Sequence, residues 1–101
     1  MKEIEIISSD FQKEVINSDK TVLVDFYANW CSPCSMMSPI ISAIAEENEN
    51  IKVVKIDVDK NQDLAMKYDV MSIPTMLIFK KGIITKTFIG ITDKAEIEKE
   101  L

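Results

Sequence analysis

Histidine is missing from all 101 residues. Its absence excludes His-activated nucleophiles, His metal ligands and c-type haem attachment. Any base in this chain is therefore a carboxylate, a lysine or a thiol. Cysteine is scarce too, with Cys31 and Cys34 as the only pair. No Lys/Arg cluster interrupts a net charge of −5, a balance that repels nucleic acid and acidic membrane surfaces. No apolar stretch approaches the length of a membrane span. Glu3 and Glu5 fall where a secretory signal needs an unbroken apolar run. Internal repeats, low-complexity tracts and linkers are also lacking. These absences predict a single domain over residues 1–101, monomeric and cytoplasmic, with neither nucleic acid nor membrane as partner. In such a compartment a purely structural disulfide does not persist.

Hydrophobic residues make up 47% of the chain, enough for one core without disulfide staples. Charged residues of both signs, at 29%, argue against disorder. Glu3 to Ile7 alternates as a short strand, and Ser9-x-x-Gln12 reads as a capping box for a helix through about Asn17. Thr21 to Ala28 is nearly continuous apolar, as in a central strand covered on both faces. Met36, Met37, Ile40, Ile41, Ile44 and Ala45 repeat at helical spacing, with Pro39 expected to kink that helix. Lys52–Val58 is a further strand, and Leu64, Ala65 and Tyr68 indicate a short helix. Thr75–Phe79 and Ile83–Phe88 read as a hairpin turning at Gly82, and Asp93 to Leu101 closes as a helix. The order β-α-β-α-β-α-β-β-α predicts an α/β fold. Its mixed central sheet has a parallel first half, an antiparallel second half and helices on both faces.

The chemistry concentrates in Trp30-Cys31-Ser32-Pro33-Cys34. Two thiols two residues apart can close a small disulfide ring and reopen it. Pro33 fits the first turn of a helix, which puts Cys31 at the helix N-terminus, where a thiolate is favoured. The alternatives are buried structural thiols or a metal site. Two thiolates give only half a zinc sphere, and no other Cys or His completes it within one chain. In the redox reading Cys31 attacks a substrate disulfide and Cys34 resolves the mixed disulfide.

Asp25 interrupts an apolar strand. It is either a buried carboxylate with a raised pKa or a partly exposed one at a strand end. Lys55, on the neighbouring strand, is its candidate partner, against the reading of an ordinary surface lysine. Pro74 reads as a strand-start or turn proline. Trp30 reads as a core aromatic or, beside a reactive cysteine, as part of a flat apolar contact surface with Ile73, Pro74 and the Gly90-Ile91 loop. The six methionines read as core filler.

The chain resembles the thioredoxin family over essentially its whole length. The likeness rests on Val24-Asp-Phe-Tyr-Ala-Asn-Trp-Cys-Ser-Pro-Cys34, Pro39, Lys55-Ile-Asp-Val-Asp59, Ser72-Ile-Pro-Thr75, Phe79-Lys-Lys-Gly82 and Gly90. A CxxC motif near a βαβ pattern is the general signature of that family. The resemblance implies the thioredoxin fold and a protein-disulfide reductase with catalytic Cys31, Cys34 and Asp25. In it Asp25 is a buried acid that accepts the Cys34 proton. It also implies a cis Ile73–Pro74 bond facing the CxxC, and substrate contacts from Trp30, Ile73, Pro74 and Gly90. No bound cofactor or metal is implied beyond the Cys31–Cys34 disulfide. The implied partners are disulfide-containing proteins and a thioredoxin reductase, NADPH- or ferredoxin-dependent. Ser32 replaces the family's usual glycine, and Ser35, Tyr27 and Ser72 also depart from common choices. None of these removes a reacting group. With Pro33 and Lys55, Ser32 is a candidate for tuning the redox potential. Two other functions share the fold: a binding module with incidental thiols, and an oxidase or isomerase running the same site in reverse.

Overall fold

The run after Lys20 forms strand β2 (Thr21–Tyr27), buried at every residue from Val22 to Phe26. The computed structural model describes residues 2–101. Around β2 it builds a five-stranded sheet from β1 (Ile4–Glu5), β3 (Ile51–Asp57), β4 (Thr75–Lys80) and β5 (Ile83–Ile89), in the order β1-β3-β2-β4-β5. β1 and β2 run parallel to β3, whereas β4 is antiparallel to β2 and β5. Helices α1 (Ser32–Glu47), α2 (Gln62–Lys67) and α3 (Lys94–Glu98) complete the fold.

The period of two along β2 separates two cores. Val22, Val24 and Phe26 join Phe11, Val15, Leu64 and Phe79 on one face. Leu23 joins Met37, Ile41 and Ile44 of α1 and Ile97 of α3 on the other. The same alternation puts Asp25 and Tyr27 on the α1 face after Leu23. On β3 it puts Lys55 there after Val53, in direct register with Asp25.

Four local expectations shift. The segment expected as one helix from Ser9 is a 3-10 turn (Ser8–Asp10) followed by a π turn (Gln12–Ile16), closed by an Asn17 N–H to Gln12 carbonyl bond of 2.9 Å. The Ser9 capping box does not form. The Asp10 carboxylate instead accepts from the Ile7 N–H, and Ser8 is drawn to Asn61. Strand β1 is shorter than Glu3–Ile7 because this pull on Ser8 turns the chain off the sheet edge. Met36 is exposed: it lies about 100° around α1 from buried Met37, past the edge of the apolar face. The final helix stops at Glu98, its last N–H groups bonding three residues back, from Glu100 to Ile97 and from Leu101 to Glu98.

Helix α1 runs unbroken through Pro39. The Ser35 carbonyl loses the N–H that Pro39 lacks, on a side of the helix where both residues are exposed to water. The β4–β5 hairpin turns at Lys81 and Gly82, both with positive φ, as a type I′ turn requires.

Candidate active site

Strand β2 ends at Tyr27, and within a few residues the chain enters α1. Cys31 is the N-cap, in extended backbone, and Pro33 lies in the first helical turn, where a missing N–H leaves no bond unmade. Cys31 Sγ accepts a hydrogen bond from the Cys34 N–H at 3.2 Å, so one of the helix's otherwise unpaired N–H groups is directed at this sulfur. The two cysteines form a disulfide with Cα atoms 5.2 Å apart. Both are about 5% exposed, so only the edge of the pair meets solvent.

Opposite the disulfide stands the turn before β4. The Ile73–Pro74 bond is cis, and the Ile73 carbonyl oxygen lies 3.8 Å from Cys31 Sγ. The Gly90 N–H donates to the Pro74 carbonyl at 2.8 Å, which draws the Gly90 loop alongside. Trp30, 71% exposed, lies against this surface. Its indole N–H donates to Asp59 at 2.7 Å. The fold therefore brings Trp30, Cys31, Ile73, Pro74 and Gly90 together. Ser32 is exposed, and among the described residues its hydroxyl bonds neither sulfur.

Behind Cys34 a cavity of about 120 Å³ is lined by Tyr27, Ala28, Ser35, Ser38 and Lys55 as well as Cys34 itself. Asp25 sits on the same face of the sheet and is 1% exposed, which excludes the reading of a solvated strand-end carboxylate. Its Oδ1 has no hydrogen-bond partner among the described residues. Burial pushes its pKa up to about 6, the Lys55 charge opposing the shift and the Glu5 charge adding to it. Lys55 makes no ion pair with Asp25. Its ammonium lies over the Tyr27 ring, 4.5 Å from the centroid. The Tyr27 hydroxyl donates to Glu5 at 2.7 Å, and burial, then this bond, raises its pKa.

Sequence reasoning missed Asp59 and Glu5 as neighbours of the site, because each reaches it across more than twenty residues of chain. It also missed two methionines. Met66 and Met71 are not core filler but are 79% and 91% exposed, beside a groove that starts at Trp30.

A cysteine pair that closes and opens at a helix N-terminus, on a βαβ frame, defines the class of thiol–disulfide oxidoreductases. Comparison with known proteins makes this specific. The thioredoxin family model matches residues 2–101. Thioredoxin from Porphyra purpurea is 50% identical over 98 residues, covering 96% of this chain and 92% of that protein. Thioredoxin from Chlorobaculum thiosulfatiphilum is 42% identical over 101 residues, covering 99% and 94%. The structure of a mutant thioredoxin from Halobacterium salinarum superimposes with a TM-score of 0.90 at 33% identity, covering 98% of this chain and 87% of that one. The chain belongs to the thioredoxin family and is a protein-disulfide reductase working through Cys31 and Cys34.

Proposed function

We propose that Cys31 is the attacking thiolate, Cys34 the resolving thiol and Asp25 the proton acceptor for Cys34. In the dithiol form the Cys31 thiolate attacks one sulfur of a substrate disulfide. That S–S bond breaks, and the other substrate sulfur leaves with the electron pair. Cys34 passes its proton to Asp25 and attacks Cys31 Sγ, and the second substrate thiolate departs. The substrate gains two electrons and the protein is left with the Cys31–Cys34 disulfide. The observation that carries the acid–base part is the buried, half-unpaired Asp25 carboxylate on the sheet face covered by α1. A group with a pKa near 6 takes and returns a proton close to neutral pH.

Trp30, Ile73, Pro74 and Gly90 are assigned to substrate contact, supported by their convergence on Cys31 and by the exposure of Trp30 and Ile91. An extended substrate segment can pair with the Ile73 backbone as a strand pairs with a sheet edge. Ser32, Pro33 and Lys55 tune the potential and the protonation. The electrons return from a thioredoxin reductase. A 42% identical relative from Mycobacterium leprae is a bifunctional thioredoxin reductase/thioredoxin, and this chain spans 22% of its length. We place the protein in the cytoplasm as one domain over residues 1–101. A thiol-reducing compartment suits a pair that must be opened at each cycle. No helix among the described residues is long and apolar enough to cross a membrane.

The test is trapping. Cys34→Ser incubated with a protein disulfide should accumulate a mixed disulfide mapped to Cys31, and Cys31→Ser should accumulate none. Adducts mapped to Cys34 in the Cys31→Ser variant would reverse the assignment.

A further inference from the structure

A groove of about 600 Å³ begins at Trp30 and Ile73, next to the reactive sulfur, and runs along the loop between α2 and β4. Its floor and walls are apolar, from Val58, Ala65, Met66, Val70 and Met71. Its charged lining residues are two carboxylates, Asp59 and Asp69. Neither makes an ion pair among the described residues. Asp59 accepts a hydrogen bond from the Trp30 indole N–H through one oxygen. The lysines nearest in sequence, Lys60 and Lys67, do not line the groove. Lys67 instead holds its ammonium over the Tyr68 ring, 5.7 Å from the centroid. The groove therefore offers apolar contact and two carboxylates without an ion-pair partner among the described residues, on a protein already at −5.

We infer that this groove selects substrate segments carrying a lysine or arginine together with an apolar residue beside the attacked cysteine. The inference rests on the reductase reading and deepens it by naming the substrate class. Complementary charge at a rim chiefly speeds encounter and rejects wrong partners. An anionic segment meets two carboxylates and a net negative surface. A cationic one is drawn in and places its aliphatic stem along Met66, Val70 and Met71. Asp69 lies four residues before Ile73, a stretch that spans at most about 14 Å of extended chain. The cation is therefore within about four residues of the attacked cysteine.

The test uses three symmetric peptide disulfides, identical except for Lys, Gln or Glu three residues from each cysteine. Reduced protein is mixed with each, and oxidation is followed by the fluorescence of Trp30, the chain's single tryptophan. The second-order rate should fall in the order Lys, Gln, Glu, with Lys about three- to fivefold above Gln, the size of an exposed ion pair. Asp69→Asn should shrink the Lys-to-Gln ratio. This variant respects the local backbone, because Asp69 has φ of 54° and asparagine tolerates that region. Salt at about 0.5 M should flatten the ratio in the unmodified protein. Equal rates for all three peptides would overturn the charge preference while leaving the reductase reading intact. A Lys preference unchanged in both Asp69→Asn and Asp59→Asn would exclude the groove as its source. Reduction of none of the peptides would overturn both readings.

Discussion

The layer between the sheet and α1 has two unlike ends. At one, Leu23, Val53 and Ile78 meet Met37, Ile41 and Ile44, all at most 2% exposed and without a polar side chain among them. Further along the strands, the same face carries Asp25, Lys55 and Tyr27, the last two lining the cavity beside Cys34. The first end follows the rule for a stable core, and the second breaks it. The polar groups sit toward the carboxyl ends of β2 and β3, where open α/β sheets place their sites. The first end holds the scaffold, and the second lies on the side of the reacting disulfide.

The largest effect belongs to the reacting end. Cys31→Ser should abolish reductase activity in a turnover assay coupled to a thioredoxin reductase, while the thermal transition of the variant remains cooperative. Residual turnover above a few per cent would separate the sulfur from the chemistry. The sealed end should respond in the opposite way. Leu23→Ala removes a fully buried side chain and should cost about 2–5 kcal/mol in denaturant unfolding, with the rate per folded molecule unchanged. A large loss of rate without loss of stability would show that the two ends are not separable.

Smaller effects sharpen the boundary. Tyr27→Phe keeps the ring under the Lys55 ammonium but removes the bond to Glu5. It should cost about 0.5–1 kcal/mol, the usual size for one partly exposed hydrogen bond. The smallest effect is expected from Ser32→Gly. With an exposed hydroxyl bonding neither sulfur, its potential in glutathione equilibration should move by no more than about 30 mV. Identical potentials would drop Ser32 from the tuning groups.

Much of this contrast could be read from the sequence, because its signals are local. The apolar run of β2, the helical spacing of α1 and the Pro33 first turn each follow from neighbouring residues. Asp25 stood out as the one charge in its strand. The first helical segment was misread because its geometry is decided by Asn61, more than fifty residues away, which takes the Ser8 N–H. Met66 and Met71 were misread because composition does not say which methionines the fold leaves outside. The bonds from Trp30 to Asp59 and from Tyr27 to Glu5 have no local signal at all.

The contrast turns on Asp25, for which we propose a cost to the stability of the fold in exchange for accepting the Cys34 proton. Its pKa in the folded protein is about 6, above the roughly 3.9 of an unfolded aspartate. The folded state therefore holds a proton that the unfolded state has lost. The associated stability is present below about pH 4 and is lost as pH rises through 6. That difference corresponds to about 3 kcal/mol. The decisive measurement is urea unfolding of the disulfide form of the parent protein and Asp25→Ala at pH 4 and pH 8, paired with the rate at which Cys34 resolves a preformed Cys31 mixed disulfide. Asp25→Ala should be the more stable protein at pH 8, its advantage over the parent should grow by about 2 kcal/mol from pH 4 to pH 8, and resolution should slow. A variant less stable by the same amount at both pH values, with an unchanged resolution rate, would contradict this role for Asp25.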